Sequence, residues 1–239
     1  MKTFVIYVKG HTESEKYADE CVDSFKRGYD VKKIEGVTPV TLNRFLYSDL
    51  SPMKNSRAQA FLENVPKREK KDIHLTKKSC FLNHVRIWSR AIELNEPVLF
   101  IEHDSICVRD WDFPDFTDVL ILNALSAPKQ KCLKTLKKGF DKAFAGIQNG
   151  IHDYSLNSFN IPLIYNKDNK FKGGAQIPGT AAYGVTPKAA KKLLGSVMKN
   201  GWEQSDYFIN SKNVKIQFAV PEYFTFNSKP NLELSHSLS

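Results

Sequence analysis

Two acids stand one residue apart in Glu102-His103-Asp104, immediately after the apolar run Pro97-Val98-Leu99-Phe100-Ile101. Such a run reads as a central strand buried on both faces. In an open α/β sheet, ligands collect beyond the carboxyl ends of the strands. Two carboxylates brought together there repel unless a cation, a base or water relieves them. A hard divalent ion meets that need, because Mg²⁺ or Mn²⁺ takes one or two carboxylates and completes its shell with phosphate oxygens and water. The Glu-x-Asp pattern is common, and helix capping or a surface turn also accounts for it. By strand alternation His103 should point away from its neighbours, into packing or a hydrogen bond.

The elements that must carry these acids are legible on either side. Thr3–Val8 is rich in β-formers, and Lys9-Gly10-His11 breaks it. Thr12 or Ser14 is placed to cap a helix with Tyr17, Cys21, Val22 and Phe25 on one face, ended by Gly28. Asp30–Ile34 is a second strand before the turn Gly36-Val37-Thr38-Pro39, so the chain opens β-α-β, the mark of a parallel sheet. The stretch 40–78 is irregular and increasingly basic, but from Thr76 the apolar positions Cys80, Phe81, His84, Val85, Trp88, Ala91 and Ile92 recur at helical spacing. Asp118–Asn123, Ala181–Val185 and Val214–Val220 read as further strands, Pro187–Met198 as a helix with proline in its first turn, and Trp202–Asn210 as a short helix. The stretch 127–171 has no clean period and reads as loops and helical turns near a cleft. The expected fold class is α/β: one domain, residues 1–239, with a mainly parallel central sheet flanked by helices.

With 239 residues the chain is long enough for one well-buried core. The apolar stretch at its start is too short for a signal peptide, and no run reaches the roughly 18–20 residues of a membrane span, so a soluble cytoplasmic protein is expected. Cys21, Cys80, Cys107 and Cys132 form no Cys-x-x-Cys pair, which argues for reduced buried thiols over structural zinc or a disulfide framework. The net charge is +9, and lysines cluster at Lys67–Lys78 and Lys129–Lys142. Such clusters attract polyanions (nucleic acid, anionic lipid or acidic glycan) or are simply a solvated surface.

Three blocks, in order, carry a family resemblance. They are Phe4–Val8 with Lys33-Ile34-Glu35-Gly36-Val37; Cys80-Phe81-Leu82-Asn83-His84-Val85-Arg86-Ile87-Trp88 leading to Pro97–Asp104; and Gly179-Thr180-Ala181-Ala182-Tyr183 followed by Pro187–Leu194. They resemble glycosyltransferase family 25, the lipooligosaccharide and collagen galactosyltransferase type, and the related small enzymes of tailed phages. The resemblance implies a GT-A-like fold, with residues 1–123 binding a nucleoside-diphosphate sugar, most simply a UDP-sugar, and 124–239 binding the acceptor. This sequence departs from the family pattern at His103, where an acid is usual, and at Asn83, where serine is usual.

The resemblance also distributes roles. Asp104 is implied as the residue contacting Mn²⁺ or Mg²⁺, Glu102 as facing the donor ribose or a metal-bound water, and His236 as a further metal ligand. Tyr7, Val8 and Lys9 would hold the nucleotide at the end of the first strand, and His84 would contact the donor or support a residue that does. Trp88 reads as core. The loop 173–180, closing on Gly179 and Thr180, lets backbone approach a ligand because glycine has no Cβ. An inverting displacement needs a carboxylate near the acceptor hydroxyl, and Asp206 is the first candidate with Glu203 in reserve. For the acceptor, hydroxymethylated cytosine in phage DNA, flipped onto Tyr154, Phe159 or Phe171, stands slightly ahead of a surface glycan. A basic nucleic-acid-binding domain without enzymatic activity is the alternative of another class.

Overall fold

The structure is a computed structural model and describes residues 1–26, 29–46, 71–110, 115–124, 147–154, 180–200, 202 and 204–227. Its elements in chain order are β1 (Lys2–Tyr7), α1 (Thr12–Asp23), β2 (Asp30–Glu35), α2 (Leu42–Leu46), α3 (Lys71–Leu94), β3 (Val98–Glu102) and β4 (Ser105–Cys107). There follow β5 (Val119–Ile121), β6 (Gly150–Tyr154), β7 (Ala182–Val185), α4 (Pro187–Asn200), α5 (Ser205–Phe208), β8 (Ile216–Val220) and β9 (Phe224–Phe226).

One seven-stranded sheet runs β2-β1-β3-β7-β5-β8-β6, and β4 pairs with β9 in a small ribbon beside it. β1 is parallel to β2 and β3, and β5 to β8, whereas β7 and β6 run against their neighbours. The sheet is therefore mainly parallel in direction, with two opposed strands, and α/β as expected. It is also continuous across the 123/124 division.

Period-two alternation sends alternate side chains to two apolar layers. Phe4, Ile6, Val98, Phe100, Ile121, Tyr183 and Phe218 face α3 and α4, where Phe81, Val85, Trp88 and Leu193 meet them. Val5, Leu99, Ile101, Leu120 and Ala182 face the other way, onto Ala18 and Cys21 of α1 and onto Tyr223 and Phe224. Trp88 is fully buried, as its place in the helical pattern predicts. Thr186 caps α4, its Oγ1 accepting from Ala189 N at 3.2 Å just before Pro187.

Several local expectations are corrected. α1 is capped by His11, whose Nδ1 accepts from Ser14 N at 3.4 Å, while Ser14 Oγ instead accepts from Val8 N at 2.8 Å. α3 begins at Lys71, earlier than the apolar pattern shows, and α2 lies within the stretch read as irregular. The last short helix contracts to α5. β6 falls in the stretch that reads as loop, since Gly-Ile-His-Asp-Tyr has no apolar run; it is an edge strand, half solvent-facing, and needs none. Cys80 is exposed, against the expectation of a buried thiol. Gly28, Cys132 and most of both lysine clusters lie outside the described residues.

Candidate active site

Parallel strands put the ends of β1, β2 and β3 on one edge of the sheet, and a cavity of about 350 Å³ opens there. That is a small-ligand volume (roughly 300–1,000 Å³). Three groups of residues build its walls.

The first wall is the paired ends of β1 and β2. Gly36 N donates to Tyr7 O at 2.7 Å, and a Cβ on Gly36 would sit 3.0 Å from Ile6 Cγ2 and 3.1 Å from Tyr7 O. A side chain there would force the two strand ends apart, so the glycine is needed for close approach. Val37 N donates to Asn83 Oδ1 at 2.7 Å, and Asn83 Nδ2 donates back to Val37 O at 3.3 Å. Asn83 thus copies the hydrogen bonding of a neighbouring strand. It fastens this wall to α3, and an amide achieves that two-point clamp where a serine hydroxyl cannot. Tyr7 and Val8 line the cavity, followed by Gly36 and the Val37-Thr38-Pro39 turn.

The second wall is acidic. Glu102 ends β3, its N–H donating to Ala181 O at 2.7 Å, and His103-Asp104 turns into β4. Because the strand stops at Glu102, alternation no longer governs, and Glu102, His103 and Asp104 all line the cavity. The His103 ring lies parallel to Tyr17 with centroids 6.4 Å apart. Burial pushes its imidazole below the ordinary value, against the opposing pull of Asp104 and a hydrogen bond to the Ile6 carbonyl. A neutral, packed His103 is a poor substitute for a third acid. Asp104 is different. Its backbone carbonyl accepts from Asn227 N at 2.7 Å, but its Oδ1 is buried without a hydrogen-bond partner among the described residues. An ionised oxygen shut away from water and from donors is costly unless something positive meets it.

The third wall joins α5 to α3. Asp206 lines the cavity, and its Oδ1 accepts from Thr180 N at 3.0 Å and lies 2.8 Å from Thr180 Oγ1. Thr180 is buried, two residues before β7 begins its antiparallel run beside β3. Thr180 is not among the residues lining the cavity; its N–H and hydroxyl hold the Asp206 carboxylate. From α3, Lys77, Cys80 and His84 face the cavity.

The structure accordingly brings together Tyr7, Val8, His84, Glu102, Asp104 and Asp206. Lys9 does not line the cavity; its Nζ is 3.8 Å from Glu35 Oε2 on the exposed side of the rim. Gly179, Glu203 and His236 lie outside the described residues, as do Phe159 and Phe171. Tyr154 is buried and edge-packed on Phe218, so its ring belongs to the core and not to a base-receiving surface. Sequence reasoning missed Lys77. Among the described residues no three His, Cys, Asp or Glu side chains converge as a complete metal shell. A hard ion that borrows substrate oxygens and water does not require one.

An α/β sheet with acids gathered over a small-ligand cavity at its carboxyl edge is the arrangement of an enzyme that binds its substrate at strand ends. The family described as glycosyltransferase family 25 (LPS biosynthesis protein) matches residues 1–209, and the chain belongs to that family. Comparison with curated proteins gives no match. The protein is a glycosyltransferase, which implies a sugar donor and an acceptor. No helix among the described residues is long and apolar enough to cross a membrane.

Proposed function

We propose that the protein transfers a sugar from a nucleoside-diphosphate sugar to a hydroxyl of a surface glycan, with a divalent cation held at Asp104. The observation that carries this reading is Asp104 Oδ1, buried and without a hydrogen-bond partner among the described residues, on a residue that lines the cavity. Mn²⁺ or Mg²⁺ suits such an oxygen, with Glu102 close by for a metal-bound water or the donor ribose. When bound, the ion supplies positive charge to the diphosphate leaving group.

The chain's own groups divide the remaining work. Tyr7, Val8 and the 36–39 turn form a slot for the nucleoside, UDP being the donor carrier we favour. Asp206, steadied by Thr180, takes the acceptor proton. The hydroxyl oxygen bonds the anomeric carbon as the bond from that carbon to the diphosphate oxygen breaks, and the nucleoside diphosphate leaves. A single displacement of this kind inverts the anomeric centre.

For the acceptor, the family description speaks of lipopolysaccharide, and Tyr154 no longer supports a flipped base. We therefore place the glycan ahead of hydroxymethylated DNA. A panel of nucleotide sugars, each with and without Mn²⁺, should show one that raises the melting temperature in the presence of metal. Mass gain on lipooligosaccharide core glycan with that donor supports the reading. Mass gain on hydroxymethylcytosine DNA alone would replace the acceptor, and tight DNA binding with no nucleotide-sugar response would overturn the enzymatic proposal.

A further inference from the structure

Away from the cavity, α4 turns a one-signed face to solvent. Lys188, Lys191, Lys192 and Lys199 are exposed on it, with Gly195 and Met198, itself 41% exposed, among them. At roughly 100° per residue these six positions fall within a stripe about 120° wide. Ala189, Ala190, Leu193 and Val197 occupy the opposite side and are buried. α4 contains no aspartate or glutamate. Lys192 meets Asp118, but Lys188, Lys191 and Lys199 make no ion pair among the described residues. Exposed Lys212 adds to the patch, on the loop that Asn213 fastens to Ser196 of α4 at 2.9 Å.

This arrangement works against the helix. Lys188 stands three and four residues before Lys191 and Lys192, the spacings at which like charges destabilise a helix. It is also in the first turn, where the dipole disfavours a cation. Nothing in the core needs these side chains, so the charge points outward, to a partner of opposite sign.

The topology says where that partner lies. β7 starts at the cavity edge, where Ala182 pairs with Ile101, and ends at the far edge, where Val185 pairs with Val98. α4 then returns over about 21 Å and leads into α5, whose Ser205 and Asp206 line the cavity. The lysine stripe thus runs along the molecule toward the wall that carries Asp206.

We infer that the solvent face of α4 docks on an anionic lipid surface, bringing the Asp206 side of the cavity to a bilayer that anchors the acceptor glycan. Lysines on one helix face suit anionic headgroups, and Met198 adds an apolar contact that an interface takes up and a phosphate backbone does not. α4 has no arginine, the side chain that reads nucleic-acid phosphates in bidentate fashion. Four lysines without an acyl chain give attachment that is reversible and released by salt. The anchored acceptor rests on the proposed glycan transfer; the docking face does not.

The test uses full-length protein and vesicles with neither sugar nucleotide nor acceptor, so its outcome is separate from that of the transfer reading. Cosedimentation with vesicles containing phosphatidylglycerol is expected, with little on pure phosphatidylcholine, and it should fall steeply as salt is raised. Lys188→Gln, Lys191→Gln and Lys199→Gln combined should lower partition on the order of a hundredfold, about fivefold for each lysine. The same loss of three charges at Lys2, Lys16 and Lys32, which already face Glu96, Glu20 and Asp30, should cost less than about fivefold in all. No binding to the anionic vesicles, an undiminished α4 variant, or equal losses in the two triple variants would overturn the inference. Tighter binding to duplex DNA than to vesicles, lost in the α4 variant alone, would give the face to nucleic acid and overturn it equally.

Discussion

Two aspartates stand at opposite ends of the strands of one sheet, Asp118 buried and Asp104 half-buried with its Oδ1 shut from solvent, and their hydrogen bonding differs. Asp118 precedes β5, and its Oδ2 accepts from Lys192 Nζ at 2.5 Å and from Lys215 N at 3.0 Å. Burial alone would raise its carboxyl, but the lysine and the backbone amide outweigh that and hold it below the usual carboxylate range. Asp104 follows β3, and its Oδ1 meets no donor among the described residues. The first aspartate is complete within the fold and ties α4 to the sheet. The second lines a cavity and is left incomplete among the described residues, as expected where stability yields to ligand binding. A satisfied buried charge marks structure, and an unsatisfied one marks where a ligand belongs.

Exchanging the two losses gives the sharpest contrast. Asp104→Asn should lower kcat/KM by on the order of a hundredfold or more, since it weakens the anchor for charge on the leaving group. Its denaturation midpoint should stay about the same, because Asp104 Oδ1 makes no hydrogen bond among the described residues that the substitution could remove. Comparable losses of activity and stability would show that Asp104 is merely structural.

Asp118→Asn should do the reverse. A cost of about 1–2 kcal/mol in urea unfolding is expected, kept modest because the Lys192 end is partly solvated. The sign with pH follows from the depressed folded value. The ionised pair contributes fully above the unfolded carboxylate value of about 4 and is lost as pH falls through the lower folded value. Wild type should therefore lose more stability than the variant across that acid window, and parallel curves would contradict the pairing.

Smaller effects probe the walls. Gly36→Ala should cost about 1 kcal/mol and raise the donor KM several-fold, because its methyl group must displace Ile6 or the Tyr7 carbonyl. Thr180→Val removes the hydroxyl beside Asp206 but leaves the backbone N–H; a drop of about three- to tenfold in kcat/KM is expected. An unchanged kcat/KM would detach Asp206 from the reaction.

What could be read from the sequence follows from the range of the forces involved. Continuous apolar runs and helical periodicity made six strands of the main sheet, α1, α3 and α4 visible, because each is specified by its own residues. The acid pair was visible because β3 runs straight into it. β6, β4 and β9 were not, since short edge pieces are made by their partners more than by their own composition. Asn83 could be noted as unusual, yet its clamp joins residues 46 positions apart. The Trp88–Tyr183 bond spans 95 positions and lies inside what reads as plain core. Lys9 reads as suited to a phosphate, yet its Nζ lies 3.8 Å from Glu35 Oε2 and outside the cavity lining.

The most direct test of the central claim is calorimetric titration of UDP into the protein with and without Mn²⁺, repeated with Asp104→Asn. Binding that requires the metal and is lost in the folded variant is the predicted result. UDP binding of equal strength with or without Mn²⁺, or unaltered by the substitution, would contradict it.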